Sequence, residues 1–230
     1  RFRVGSHQIA NGADPGMLDS LIFYGKGWGI NDAYNIIMDH SSVSWGIDEN
    51  MSITGGVTNT TIQWSIVSEG LTGYVGPGNG YNGGSWLHSD LHDHSKGLMV
   101  SGKPESKPFP NTVSLHHNYI AHNTDRSPLL TTNSSVDTTV DVVNNVVYNW
   151  KGGLSMKGEG TPKINWVHNY AKPGQNSHSW SYEVIFNESG TPQPLLYVYG
   201  NIGSSRLSQS EPHWNVGLSW TTTPLSTDWQ

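Results

Sequence analysis

The segment His116-His117-Asn118-Tyr119-Ile120-Ala121-His122-Asn123-Thr124-Asp125-Arg126-Ser127-Pro128 carries the residues best suited to chemistry. It reads as a strand that turns at an asparagine and closes on Arg-x-Pro. A guanidinium is planar and charged at ordinary pH, and it matches a carboxylate bidentately. Projected from the flank of a rigid stack, Arg126 would bind, or help to cleave, a long acidic polymer. The ordinary alternative for an arginine is a surface or ladder salt bridge.

Other groupings carry less. His88, Asp90, His92, Asp93 and His94 combine imidazole and carboxylate, which suit zinc or manganese. Their spacing matches no specific zinc motif, so a solvated loop or a cleft wall is the better reading. Trp28, Trp45, Trp64, Trp86, Trp150 and Trp166 are candidates for stacking on sugars, but at strand positions most are expected to pack in or between coils. No nucleophile elbow, phosphate loop or Ser/His/Asp arrangement is evident. Nor is there an Asp-Asp block of the kind a glycoside hydrolase of the polygalacturonase type needs.

The elements that must position Arg126 repeat. Six segments align: Ile36–Ser41, Thr61–Ser65, Ser114–Asn118, Asp141–Asn145, Asn165–Asn169 and Tyr197–Asn201. Each alternates apolar and polar residues and then turns at a small polar residue. Successive turns fall about 24 to 32 residues apart, with one gap near twice that, a period that marks a solenoid, array or propeller. The double gap leaves room for a further rung at Leu98-Met99-Val100. Propeller blades need longer units and antiparallel hairpins, so the expected fold is all-β, a single-stranded right-handed parallel β-helix. One coil cannot bury its apolar face, but stacked coils can. The turn residues Asn118, Asn145, Asn169 and Asn201 would lie above one another. An asparagine tolerates a left-handed turn and can bond to its neighbour along the stack. One β-helix domain over 1–230 is expected, interrupted by a Gly- and His-rich loop at 70–95. The opening residues Arg1–Gly5 read as the end of a strand, so further N-terminal coils are expected to precede them.

Composition agrees. The chain has 230 residues, enough for one large domain with a continuous core. Hydrophobic residues are 34% and charged residues 13%, so Asn, Ser, Thr, Gly and His carry the polar balance. With 27 glycines and 12 prolines, the chain favours short strands and frequent turns. A formal charge of -6 with no basic run makes it a poor nucleic-acid binder. An acidic polysaccharide would be repelled too, unless a local basic cluster or a bound cation reverses the sign. There is no cysteine, no apolar run long enough to span a membrane and no visible signal peptide. Sequons at Asn50, Asn59, Asn133 and Asn187 offer weak support for a secreted, glycosylated protein.

Several blocks in the same order resemble the pectate lyases of the parallel β-helix superfamily. They are Asn35 to Trp45, Asp48-Glu49-Asn50, Thr61 to Glu69, His94-Ser95-Lys96-Gly97 and His116 to Pro128, covering most of Arg1 to Gly174. The resemblance implies calcium-assisted β-elimination of polygalacturonate by a secreted enzyme. It implies that Arg126 is the catalytic base on the Arg-x-Pro strand, although free arginine is charged at ordinary pH and Arg126 could instead stabilise the carbanion. It implies that Asp19 and Asp48 ligate calcium, that Lys96 contacts the sugar acid, and that Asp39 and His40 are structural, buried and hydrogen-bonded.

The chain departs from that pattern. Ser52 stands where a third calcium carboxylate is expected, and Glu49, if its strand is regular, points to the other face. Thr131 replaces a second basic residue, Ser41 and Ser65 stand where relatives often carry cysteine, and Asp125 could neutralise Arg126 if turned the same way. These departures motivate a second expectation: a catalytically inactive β-helix used for adhesion or filament formation. Such a scaffold would self-assemble through unpaired strand edges at the coil ends.

Overall fold

The computed structural model describes residues 2–3, 19–25, 33–46, 48–70, 96–101, 112–130, 138–151, 155–157, 163–177, 183–187 and 195–219. Among them are nineteen short strands in three sheets. The first sheet holds β3 (Ala33–Asp39), β6 (Val57–Gln63), β9 (Thr112–His116), β12 (Thr139–Val143), β15 (Lys163–Val167) and β18 (Leu195–Tyr199). The second holds β1 (Phe2–Arg3), β4 (Ser42–Ser44), β7 (Ile66–Ser68), β10 (Tyr119–Ala121), β13 (Val146–Tyr148) and β16 (Tyr170–Lys172). The third holds β2 (Leu21–Gly25), β5 (Glu49–Gly55), β8 (Lys96–Ser101), β11 (Leu129–Leu130), β14 (Ser155–Lys157), β17 (Val184–Asn187) and β19 (Gly217–Ser219). All pairings between these strands are parallel. The chain visits the three sheets in turn, and each circuit adds one coil to a parallel β-helix.

Period-two alternation builds the core. Met38, Ile62, Leu115, Val142, Trp166 and Val198 share one register position in the first sheet. None is more than 5% exposed. Val43, Val67, Ile120, Val147 and Ala171 form the matching column of the second sheet. Burying such side chains is worth about 1.5–3 kcal/mol each, which sets the register, since a one-residue slip would turn the column outward.

All six segments read from the sequence fall in the first sheet. The double gap holds no missing rung, because β6 pairs directly with β9. Leu98-Met99-Val100 lies in β8 of the third sheet, between β5 and β11. The extra length belongs to 71–95 and 102–111, both outside the described residues.

The turn asparagines form a buried ladder. Asn118 Nδ2 donates to Asn145 Oδ1 at 3.1 Å, Asn145 Nδ2 to Asn169 Oδ1 at 3.0 Å, and Asn169 Nδ2 to Asn201 Oδ1 at 3.0 Å. Serines extend it upstream: Ser65 N donates to Asn118 Oδ1 and Ser41 N to Ser65 Oγ. At the other end Arg206, fully buried, donates to the carbonyls of Asn201, Gln209 and Glu211. The left-handed residue is not the ladder asparagine but the one before it: His40, Trp64, His117, Asn144, His168 or Gly200. The corner needs that turn before the side chain can point inward. At Gly200, with φ +67°, a Cβ would lie 2.0 Å from His168 Cδ2, so a side chain there would have to displace the His168 ring.

Candidate functional site

Four strands of the third sheet begin side by side, and their upstream ends carry the charged residues singled out above. Asp19 lies two residues before β2, Asp48 immediately before β5, Lys96 at the first position of β8, and Arg126 three residues before β11. Backbone bonds align these ends. Lys96 N donates to Asp48 O at 2.6 Å, Gly97 N to Asp125 O at 2.9 Å and Leu98 N to Arg126 O at 2.6 Å. A Cβ on Gly97 would stand 2.7 Å from the Arg126 carbonyl oxygen and 2.9 Å from Ser127 Oγ, so glycine lets the Arg126 segment lie on β8.

Asparagines hold this edge from behind. Asn50, fully buried, accepts from Gly46 N at 2.7 Å and donates to Ser68 O and to Asn123 Oδ1. Asn123 donates in turn to Val67 O. The start of β5 is thereby tied to the segment that carries Arg126, which turns through a left-handed φ of 58°.

Three carboxylates converge. One oxygen each from Asp19, Asp48 and Glu49 lie within 4.8 Å of one another. Asp19 Oδ1 also accepts from Glu49 N at 3.3 Å. Arg126 Nη1 donates to Glu49 Oε1 and lies 3.7 Å from Met99 Sδ. Alongside, Asp125 Oδ1 accepts from Arg126 N at 2.6 Å, and Asp125 Oδ2 is 3.6 Å from Lys96 Nζ. The result is an acidic cluster, a guanidinium bound to one of its members, and an ammonium linked to the same turn through Asp125.

The electrostatics follow from burial and crowding. Burial raises the Asp19 carboxyl to about 6; the fully buried Ser52 hydroxyl opposes that rise, the charge of Asp48 adds to it, and Arg126 opposes it. Burial also lowers Arg126 from the ordinary arginine range, while Asp48 and Asp19 act to hold it charged. Such a set of oxygen donors suits a hard cation.

The structure thus brings Asp19, Asp48 and Arg126 together, with Lys96 beside them. Other expectations change. Glu49 does not point away from Asp48: as the first residue of β5, in register with Lys96, it is buried, and its carboxylate joins the cluster. It was the residue that strand parity concealed, and the Asp48-Glu49 doublet was its only signal. The Asp125 carboxylate binds the Arg126 backbone and faces Lys96. Asp39 and His40 bond to each other at 2.7 Å but are exposed, because the corner turns them outward.

Asn50 is fully buried, whereas Asn59 is exposed. Asn133, Thr131, Trp28, Trp86 and the His88–His94 group lie outside the described residues, as does the side chain of Asn187. Trp150 and Trp166 are core residues. Trp64 is 53% exposed, but His117 stacks on it at 4.3 Å, which leaves less of its face for a sugar.

No family model matches the chain. It is similar to the "Probable pectate lyase C" of Aspergillus flavus, with 33% identity over 152 residues, 65% of this chain and 28% of the relative. The protein of the same name from Aspergillus oryzae is 34% identical over 145 residues, 62% of this chain and 27% of the relative. That from Neosartorya fischeri is 31% identical over 152 residues, 65% of this chain and 28% of the relative. The chain spans about 28% of the length of the curated relatives it matches. Over the matched 65% of its length, this parallel β-helix is similar to those probable pectate lyases.

Proposed function

We propose that the chain carries the active site of a polysaccharide lyase that cleaves a uronate-containing glycan such as pectate by calcium-assisted β-elimination. The observation that carries this reading is the contact of Arg126 with the Asp19–Asp48–Glu49 cluster on one strand edge. The cluster fits calcium: its donors are hard oxygens from three carboxylates, and Asp19 is raised to about 6 because the site crowds and buries negative charge. Asp19, Asp48 and Glu49 would hold the ion. When bound, calcium would draw charge from a uronate carboxylate and so acidify the C–H on the adjacent ring carbon.

In this reading Lys96, steadied by Asp125, pairs with a uronate carboxylate. Arg126 faces the ring proton, either accepting it or stabilising the carbanion, and the glycosidic oxygen leaves from the next carbon. A half-buried guanidinium is easier to deprotonate than a fully solvated one, which favours the first role. A polymer of this kind is met outside the cell, so secretion belongs to the proposal, and among the described residues Asn59 is an exposed sequon asparagine. The names of the relatives lend no support to the inert scaffold.

The test is the ultraviolet absorbance of unsaturated products from polygalacturonate with added calcium. Arg126→Ala is expected to abolish it while circular dichroism stays that of the parent, and a chelator is expected to abolish it in the parent. Undiminished product from the variant would overturn the role given to Arg126.

A further inference from the structure

We propose that Glu49 is an exchangeable partner. Without a cation it holds the Arg126 guanidinium; with a divalent cation in the cluster it turns to the metal and releases Arg126 towards the substrate. The inference rests on the reading that the cluster takes calcium.

Three observations carry it. First, Glu49 belongs to two groups at once. One of its carboxylate oxygens lies within 4.8 Å of those of Asp19 and Asp48, and its Oε1 accepts from Arg126 Nη1. A guanidinium and a divalent cation on one buried carboxylate would repel each other strongly at that range. Second, the cluster needs Glu49. Ser52 stands where another carboxylate was expected, so Asp19 and Asp48 alone would make a poor calcium site. Third, the exchange can be confined to side chains. The Arg126 backbone is held by Asp125 Oδ1 and Leu98 N, and that of Glu49 by Asp19 Oδ1 and Ser20 N. Neither backbone anchor uses the Arg126–Glu49 bond. Among the described residues, the other hydrogen-bonding contact of Arg126 Nη1 is the Met99 thioether, a weak acceptor that would not retain it.

The sequence places these groups 77 residues apart, and stacking makes them neighbours. Metal loading and the freeing of the guanidinium then become one event, so that Arg126 engages substrate only when the cation is in place.

Calcium binding measured by titration calorimetry on the intact chain tests this, using the parent, Arg126→Gln, Glu49→Gln and the double variant. The exchange expects Arg126→Gln to tighten calcium about tenfold, because the competitor for Glu49 is gone, and Glu49→Gln to weaken it about tenfold. In the Glu49→Gln background, Arg126→Gln should change affinity by less than about threefold. An equal gain in both backgrounds would mean that Arg126 acts only through its field, and the exchange is then wrong. Unchanged affinity in Glu49→Gln would remove Glu49 from the ligand set.

Nitrogen-15 spectra of arginine side chains in the parent give a readout that needs no variant. Calcium should shift the Arg126 guanidinium signal and hasten its exchange with water, and a signal that stays put overturns the proposal. If the parent binds no calcium at all, the calcium reading itself fails, an outcome distinct from calcium binding with additive effects.

Discussion

Replacing Asp19 with asparagine should make the metal-free chain more stable at pH 8 and leave its stability near pH 4 almost unchanged. The fold raises this carboxyl from 3.8 to about 6, chiefly by burial, so the folded chain prefers it protonated. The stabilisation from that proton is complete below 3.8 and is lost as pH rises to about 6. At pH 8 the parent therefore bears the whole cost of an ionised Asp19, and asparagine bears none. The rise corresponds to about 3 kcal/mol at about 1.4 kcal/mol per pH unit. Partial solvent access and shared charge with Asp48 reduce this to about 1.5 kcal/mol. Asparagine keeps the acceptor for Glu49 N, and its amide can donate to a neighbouring carboxylate. Urea unfolding with chelator present, at pH 8 and pH 4, measures the difference. In calcium titrations the same variant should bind the ion about tenfold more weakly, having lost a carboxylate donor. Equal gains at both pH values, or a loss at pH 8, would refute the account of Asp19 as a crowded, buried acid.

Two further outcomes are expected. Asn145→Ala removes the side chain that accepts from Asn118 N and donates to the Leu115 carbonyl at 2.8 Å, so buried backbone groups lose their partners. Urea unfolding should show a loss of about 2–4 kcal/mol. Asp125→Asn keeps an acceptor for Arg126 N but loses the charge facing Lys96. Kinetics on polygalacturonate should show KM rising several-fold with kcat less affected, and a fall in kcat alone would count against substrate binding through Lys96.

The fold was largely legible because its determinants are local and repeated. Apolar residues at alternate positions and a small polar residue at each turn identified six segments, and all six became strands of one sheet. The asparagine ladder followed from the same repetition. The double gap misled, since a long insertion and an extra coil lengthen a spacing equally. Only the direct pairing of β6 with β9 tells them apart.

Within the site, what the sequence offered was the resemblance to pectate lyases, which pointed to Asp19, Asp48, Lys96 and Arg126; the stacking of coils sets these four at one strand edge. Tertiary structure alone decided how their charges pair. Glu49 took the guanidinium, Asp125 turned to the backbone and to Lys96, Asn50 went inside, and Asp39 with His40 went out. Glu49 stands at the start of β5, beside Asp48. The partner waiting there comes from a coil 77 residues away, where no local pattern reaches.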